Sequence, residues 1–253
     1  MQLAGIVNVT PDSFFDGGRH IEPIAFGLRL LQDGADQLDI GGESTRPGSR
    51  AVSADEELER ILGPIAALSR HTTVSVDTQK PAVAARALEA GATVVNDVNG
   101  LRAPGMLEVV AAAGAGAVIM HMRGNPATMQ SDTHYDDVVV EVREFLRVRI
   151  AAARAAGIRT LWADPGIGFG KSAEQCAELL RRLGELDVGA PLYIGASRKS
   201  FIGTLAGVPD AQDRLPGSLA AAAASLRHAD ILRVHDVAAT RQFLTVLDAS
   251  WAS

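Results

Sequence analysis

The sequence has 253 residues, of which 47% are hydrophobic and 21% are charged, so we expect an ordered chain that buries a large core. Its formal net charge of −6 argues against a nucleic-acid partner, because phosphate backbones bind positive surfaces. No stretch approaches the roughly 20 apolar residues of a membrane span, and the N-terminus lacks a signal-peptide pattern. We therefore expect a soluble, cytoplasmic protein without a membrane partner.

Eight short apolar segments recur along the sequence, and each ends in polar residues. Continuous apolar character over about four to six residues is typical of strands that are buried on both faces of a parallel sheet. In chain order the predicted strands are LAGIVN (3–8), QLDIGG (37–42), TVSVD (73–77), TVVND (93–97), AVIMH (117–121), TLWAD (160–164), LYIGAS (192–197) and ILRVHD (231–236).

Helical patterns separate these strands. Asp136 and Asp137 favour the N-terminus of a long helix, and Gly157 is placed to end it. Cys176, the one cysteine, lies in the apparent helix AEQCAELL without a nearby histidine, which indicates a buried structural thiol. Two further helices are predicted by apolar residues at helical spacing, which are Ile21, Ile24, Ala25, Leu28 and Leu31, and then Leu58, Ile61, Leu62 and Ile65.

The alternation of strands and helices predicts an α/β fold, a single (β/α)8 TIM barrel that spans residues 1–253. Eight units in a sequence of this length have roughly 32 residues each, the size of a strand-plus-helix repeat. A doubly wound open sheet is the main alternative. Such a sheet usually has a glycine-rich phosphate loop after its first strand, and NVTPDSFFDGG does not match that pattern.

Polar side chains at the ends of the predicted strands indicate an active site. In a barrel, the C-terminal ends of the strands meet at one mouth, where active sites lie. Strands also end where the chain meets water, but this does not readily explain a set so rich in Asp, Asn, His and Lys. The set is Asn8, Asp39, Asp77, Asn96, Asp97, His121, Asp164, Ser197, Arg198, Lys199, Ser200 and His235.

Three loops rich in glycine and proline, at residues 8–18, 41–50 and 164–171, complete a resemblance to the dihydropteroate synthases. GIVNVTPDSF, DIGGESTRPG, SVDTQKP, NDVNG, HMRGNP, DPGIGFGK, SRKSFIG and RVHDV are similar to that family's motifs, in the family's order. The resemblance implies that the amine of 4-aminobenzoate displaces diphosphate from (7,8-dihydropterin-6-yl)methyl diphosphate. The product would be dihydropteroate, a folate precursor, and the pterin would bind first.

The resemblance implies a pterin site made of Asp77, Asn96, Asp164, Phe169 and Lys199. Asp164 is expected to accept from ring N–H groups, Asn96 can both donate and accept, and Lys199 can only donate. Asp77 is expected to face the ring N8–H and to stabilise positive charge that develops as diphosphate leaves. We expect Asp77, Asp164 and Lys199 to be catalytic. The alternative for Asp77 is a structural cap before the next helix.

Arg233 and His235 are alternate residues of the last predicted strand, so they point the same way and predict an anion cradle for the diphosphate. Asn8 resembles a family position that contacts diphosphate and a bridging Mg2+ ion. Because an amide oxygen is a weak ligand for this cation, we expect Mg2+ to arrive with the substrate. His121 has two open interpretations, in which it orders the mouth or touches the substrate.

The second substrate, 4-aminobenzoate, is expected at Phe14, Thr45, Arg46, Pro47 and Ser200. Ser200 is placed where a helix N-terminus could hold the carboxylate. Phe15 departs from the family, which more often has serine there. Sulfonamides compete for the same site, so the resemblance implies a sulfonamide target whose sensitivity Phe15 alters.

Two other functions stay open at this point. A corrinoid-linked methyltransferase on the same kind of barrel would share the pterin contacts but would have little use for Arg233, His235 and SRKS. A pterin-binding paralogue without activity would need damage at a catalytic position, and no matched position is damaged. The resemblance also implies a possible homodimer through helices near the last two strands, although the helix GSLAAAAASL could equally pack inside the domain.

Overall fold

Eight parallel strands close into a barrel with helices around it. The structure, a computed structural model, describes residues 1–10, 15–16, 19–20, 22–44, 51–125 and 128–251. Its elements are β1 (Gln2–Asn8), β2 (Phe15–Asp16), β3 (Arg19–His20), α1 (Pro23–Gln32), β4 (Gln37–Gly41), α2 (Ala54–Leu68), β5 (Thr73–Asp77), α3 (Pro81–Glu89), β6 (Val94–Asp97), α4 (Met106–Ala112), β7 (Gly116–Met120), α5 (Val138–Ala155), β8 (Leu161–Asp164), α6 (Ala173–Arg181), β9 (Leu192–Ile194), α7 (Ser200–Ala206), α8 (Leu215–Ser225), β10 (Ala229–Val234) and α9 (Val237–Trp251).

The barrel confirms all eight predicted strands and the predicted fold class. Its strand order is β1-β10-β9-β8-β7-β6-β5-β4, and β1 closes the ring by pairing with β4. Every residue of β4 and β7 is buried, because one face lies inside the barrel and the other lies under helices. The closed ring excludes the open doubly wound sheet.

The predicted helices are present, and α5 begins and ends where the sequence indicated. The Asp137 carboxylate caps α5 by accepting from the backbone N–H groups of residues 139 and 140. Gly157 follows that helix with a φ of +95°, a left-handed conformation that suits glycine. Cys176 is fully buried in α6. Helix α1 forms, but its predicted apolar face is only partly right: Gly27 and Leu30 are buried, Leu28 and Leu31 are half-buried, and Ile24 and Ala25 are exposed. Ile21 lies outside the described residues.

The alanine-rich helix α8 packs within the barrel's outer layer. It contacts α6, α7 and α9, and it buries Ala221 and Ala222. Across the described part of the chain, no helix combines the length and the apolar character that are needed to cross a membrane.

The strand register places a polar layer above an apolar one inside the barrel. Asp39 pairs with Ser75, and one step nearer the C-terminal mouth Asp77 pairs with Asn96. Side chains alternate along each strand, so these four residues point inward. The apolar layer consists of Ala4, Val94, Val118, Trp162, Tyr193 and Ile231. The polar residues therefore lie above this apolar cluster and face the mouth.

Candidate active site

One guanidinium group joins two buried carboxylates inside the barrel. Arg233 on β10 donates from Nε to Asp39 Oδ2 at 2.5 Å and from Nη2 to Asp77 Oδ2 at 2.8 Å. Burial alone lowers the pKa of Arg233, but the two carboxylates outweigh this effect and raise that pKa above its ordinary value. The guanidinium therefore stays charged, and two negative charges share one positive charge when both carboxyls are ionised.

Asp77 has one buried oxygen without a partner. Its Oδ1 atom makes no hydrogen bond to any described residue. Burial raises the pKa of Asp77 to about 7, Arg233 lowers it, and the charges of Asp39, Glu57 and Asp97 raise it further. A positive group or an N–H donor next to Oδ1 would stabilise the ionised form of this carboxyl.

Asp39 connects Arg233 to Asn96. Its Oδ1 atom accepts from Ser75 Oγ at 2.5 Å, and its Oδ2 atom accepts from Asn96 Nδ2 at 3.1 Å. Because an ionised carboxylate only accepts, this bond fixes the Asn96 amide with its nitrogen towards Asp39. Sequence reasoning noted Asp39 as a strand end but gave it no role and passed over Ser75. A signal for both was available in their spacing. Asp39 lies two residues before Gly41 and Ser75 lies two residues before Asp77, so strand alternation puts both on the inward face.

Asp77 is not the cap of the following helix, so that alternative is wrong. Helix α3 begins at Pro81, and its N-cap residue is Lys80. The Lys80 side chain pairs with Glu43 and Glu57 instead, at 2.9 and 2.6 Å. The Asp77 side chain points into the barrel because it ends β5 on the same face as Ser75.

The ends of β8 and β9 bring together Asp164, Lys199 and Phe169. Asp164 Oδ1 accepts from the backbone N–H of Gly166 at 2.7 Å. Lys199 Nζ donates to the Ile167 carbonyl at 2.5 Å and lies 4.6 Å from the centre of the Phe169 ring. Burial raises the pKa of Asp164, while the Lys199 charge lowers it. Burial lowers the pKa of Lys199 to about 8, while Asp164 raises it. Each group therefore stabilises the charged form of the other.

Gly195 leaves space between these groups and Arg233. A methyl group at Gly195 would lie 3.7 Å from Asp164 Oδ2 and 3.8 Å from both Arg233 Cδ and Lys199 Nζ. One acceptor and two cations therefore border the same space above β9. A planar ligand in the mouth would meet all three together. Sequence reasoning gave Gly195 no role.

The predicted anion cradle of Arg233 and His235 has two separate sets of partners. Arg233 faces Asp39 and Asp77, whereas the His235 Nδ1 atom lies 3.1 Å from Ser197 Oγ. The reason is that Arg233 lies within β10 and points into the polar layer, while His235 follows the last residue of that strand. Both side chains still lie at the mouth.

The residues predicted for the metal and for 4-aminobenzoate are only partly described. Asn8 is the last residue of β1, and Ser200 is the exposed first residue of α7. Among the residues that the structure describes, no three His, Cys, Asp or Glu side chains come together as a metal site. Phe14, Thr45, Arg46 and Pro47 lie outside the described residues.

His121 is buried and faces another side chain. Its Nδ1 atom lies 2.9 Å from Lys171 Nζ, and its ring meets the Phe145 ring edge-on at 4.9 Å. Burial, followed by the charges of Lys171, Arg102 and Arg123, lowers the pKa of His121 well below its ordinary value. A neutral, enclosed imidazole favours the interpretation in which His121 orders the mouth.

Known proteins match this chain along nearly its whole length. The family model described as pterin binding enzyme matches residues 4–235. The dihydropteroate synthase of Synechocystis sp. is 46% identical over 98% of this chain and 90% of its own length. The solved Xanthomonas albilineans dihydropteroate synthase with 4-aminobenzoic acid is 49% identical, with a TM-score of 0.93, and covers 100% of this chain and 93% of its own.

A second Xanthomonas albilineans structure, in complex with 7,8-dihydropteroate, is 46% identical with a TM-score of 0.89 and covers 100% of this chain and 94% of its own. The sequence matches and the structural matches therefore lead to one set of enzymes. This chain belongs to the pterin binding enzyme family, among its dihydropteroate synthases.

Proposed function

We propose that this chain joins (7,8-dihydropterin-6-yl)methyl diphosphate to 4-aminobenzoate and releases diphosphate and 7,8-dihydropteroate. The similar Xanthomonas albilineans enzyme has been solved with 4-aminobenzoic acid and with 7,8-dihydropteroate, which are a substrate and the product of this reaction. The observation that carries the proposal is the unpaired Oδ1 atom of Asp77, buried beside a guanidinium that Asp39 shares.

The charge of this cluster suits a cation. When the C–O bond to the diphosphate breaks, both bonding electrons leave with the diphosphate, and positive charge spreads from the methylene into the pterin ring. An ionised Asp77 next to that ring stabilises the charge as it develops, and this interaction is stronger in the transition state than in the ground state. In the free enzyme, burial makes the ionised form of this carboxylate less stable, so its pKa is raised.

The amine of 4-aminobenzoate then attacks the cationic methylene. Its lone pair forms the new C–N bond, and the nitrogen releases a proton to restore a neutral secondary amine. Below the polar layer the barrel packs apolar side chains, among them Ala4, Val118 and Ile231, and also buries Gln37. Exclusion of water protects the cation from hydrolysis.

The remaining polar groups suit the edge of a pterin ring. Asp164 Oδ2 borders the space above Gly195 and can accept from the ring N3–H and 2-amino groups. Asn96 directs its amide nitrogen to Asp39, so its oxygen is available to the ring edge. Lys199 bonds to the Ile167 carbonyl with one of its three N–H donors, so another can donate to the ring carbonyl, with Phe169 beside it.

The diphosphate would lie between Arg233, His235 and Asn8. The bonds to Asp39 and Asp77 use two of the five N–H groups of the Arg233 guanidinium, so the others can donate to phosphate oxygens. Asn8 offers a neutral amide, which is a weak ligand for Mg2+, so the ion would arrive with the substrate. Such an ion would supply positive charge to the leaving group.

The carboxylate of 4-aminobenzoate would be held at Ser200, with Phe14, Thr45, Arg46 and Pro47 as further contacts. Ser200 begins α7, and Lys199 immediately precedes it, so this position connects the two substrate sites. A homodimer and sulfonamide binding are part of the same proposal, since the family resemblance implies both.

An assay of diphosphate release tests the proposal. The pterin diphosphate, Mg2+ and 4-aminobenzoate are supplied together and then with each one left out, and the product is identified by mass. Release should require both organic substrates and should match the dihydropteroate formed. Pterin binding without release would instead support the inactive paralogue. Methyl transfer from methyltetrahydrofolate to a corrinoid would support the methyltransferase, which the similar proteins do not favour.

A further inference from the structure

The turn at residues 166–170 is held by side chains rather than by regular secondary structure. Each of its five carbonyl groups accepts a hydrogen bond from a side chain. Gln130 donates to the Gly168 carbonyl at 2.9 Å, and Tyr135 donates to the Gly170 carbonyl at 2.9 Å. Lys199 donates to the Ile167 carbonyl. The two remaining carbonyls share one donor, which is Lys171.

Lys171 is buried under this turn. Its Nζ atom donates to the Gly166 carbonyl at 2.9 Å and to the Phe169 carbonyl at 3.0 Å, and it lies 2.9 Å from His121 Nδ1. Only 4% of Lys171 is exposed, so water cannot replace these partners. An ammonium group has three N–H donors, and three acceptors meet it here. Burying such a group is costly unless it is satisfied in this way.

The backbone of the turn also packs closely against the backbone of His121. Gly166 has a φ of +66°, and a Cβ atom there would lie 1.9 Å from the His121 carbonyl oxygen. Backbone contact and the bond between the His121 ring and Lys171 therefore act on the same turn. Burial lowers the pKa of Lys171 to about 7; Cys176 and Asp164 raise that pKa, and the charges of Lys199 and Arg123 lower it.

The upper side of the turn forms part of the proposed pterin site. The Ile167 carbonyl and the Phe169 ring both contact Lys199 Nζ, so the position of the turn sets the position of that ammonium group. Lys171 itself reaches only the inner side of the turn. It can therefore influence the position of a bound pterin through Lys199 and Phe169, while its charge also lowers the pKa of Asp164.

We propose that Lys171, braced by His121, is a positioning residue for pterin binding: it fixes the 166–170 turn and thereby places Lys199 and Phe169. The inference rests on the proposed function, because its effect is read through a bound pterin. It gives a role to two buried polar residues that the reaction itself does not use.

A double-mutant cycle tests the inference. Binding of 6-hydroxymethylpterin is measured by calorimetry for the wild type, Lys171→Met, Lys199→Met and the double variant, and thermal unfolding confirms that each is folded. Methionine is unbranched like lysine but lacks the terminal nitrogen, so it fills most of the same space and donates nothing. Lys171→Met should weaken binding by at least about tenfold in the wild type and by less than about threefold in the Lys199→Met background. Equal losses in both backgrounds, or a loss below about threefold in the wild type, would overturn the inference.

A matched pair at His121 covers the case in which Lys171→Met does not fold. Asn can place its side-chain oxygen near the Nδ1 position and still accept from Lys171, whereas Leu cannot accept. His121→Asn should bind the pterin within about threefold of the wild type, and His121→Leu should bind at least about tenfold more weakly. Equal binding by the two variants would overturn the inference. A wild type that binds no pterin would contradict the proposed function instead.

Discussion

Arg233 Nη2 lies 2.8 Å from one oxygen of Asp77, and the other oxygen of that carboxylate has no partner among the described residues. The same guanidinium also bonds to Asp39, so the charge that would neutralise Asp77 is divided. This arrangement raises the free energy of the ionised free enzyme. A pterin that becomes positively charged as diphosphate leaves would relieve that cost, which makes the cluster complementary to the transition state.

The pH dependence of activity should show the titration of Asp77. Its pKa is raised to about 7, so the catalytic carboxylate is protonated as the pH falls through that value. We expect kcat/KM for the pterin diphosphate to fall roughly tenfold per pH unit below the pKa. Steady-state rates across the pH range measure this decrease on the acidic side of the profile, which is called the acidic limb below. Asp77→Asn is the control, because the substrate phosphates titrate in both proteins. An unchanged acidic limb in Asp77→Asn would contradict the assignment.

Asp39→Asn should move the acidic limb to lower pH. The charge of Asp39 raises the pKa of Asp77, and its removal also leaves Arg233 to pair with Asp77 alone. Both effects lower the pKa of Asp77, and we expect a shift of about one unit in the kcat/KM profile. Turnover at higher pH should also fall, because Arg233 then neutralises the Asp77 charge.

Ser75→Ala is the matched control for that variant. It removes the hydroxyl partner of Asp39 Oδ1 but changes no charge, so its acidic limb should stay at the wild-type position. Equal profiles for Asp39→Asn and the wild type would show that Asp39 does not act on Asp77.

Cys176 should prove structural. The thiol is fully buried in α6, and Sγ accepts from the Gly168 backbone N–H at 3.2 Å. Burial raises the pKa of this thiol, which disfavours the thiolate that a nucleophile needs. Cys176→Ala should lower the free energy of unfolding by about 1–2 kcal/mol and leave kcat within about threefold. Chemical unfolding and steady-state rates provide both numbers, and a loss of kcat beyond about tenfold would assign the thiol a part in catalysis.

Phe15 is the place to look for altered sulfonamide sensitivity. The family more often has serine at this position, beside the expected 4-aminobenzoate site. We expect Phe15→Ser to change the inhibition constant of a sulfonamide by at least about threefold, since one side chain in a small-ligand site is worth roughly 1 kcal/mol. Competition against 4-aminobenzoate measures it. Identical inhibition constants would remove Phe15 from the site.

The strands and their polar ends could be predicted because buried parallel strands leave a simple pattern in sequence. Each apolar run stops where the barrel opens, and Asp77, Asn96 and Asp164 lie at such stops. The ends of α5 could also be predicted, because Asp137 caps its first turn and Gly157 adopts the left-handed conformation that follows its last turn. These features depend on neighbouring residues in the chain.

The sharing of Arg233 between two carboxylates could not be read in the same way. It depends on ring closure, which brings β10 next to β1 and so places Arg233 near Asp39, 194 positions away in the chain. Spacing predicted one shared face for Arg233 and His235, but it could not show that His235 lies beyond the end of β10 or that their partners differ. Lys171 follows a glycine-rich loop that looks suited to a ligand, and only the path of the turn shows that its side chain points inward.

The catalytic role of Asp77 is tested most directly by comparing turnover and pterin binding in Asp77→Asn. Turnover is measured with saturating substrates at about pH 8, where the wild-type carboxyl is ionised, and binding of 6-hydroxymethylpterin is measured by calorimetry. We predict that kcat falls by about 100-fold or more while the dissociation constant changes by less than about tenfold. A dissociation constant that rises as much as kcat falls, or an unchanged kcat, would contradict the proposal that Asp77 stabilises the charge that forms as diphosphate leaves.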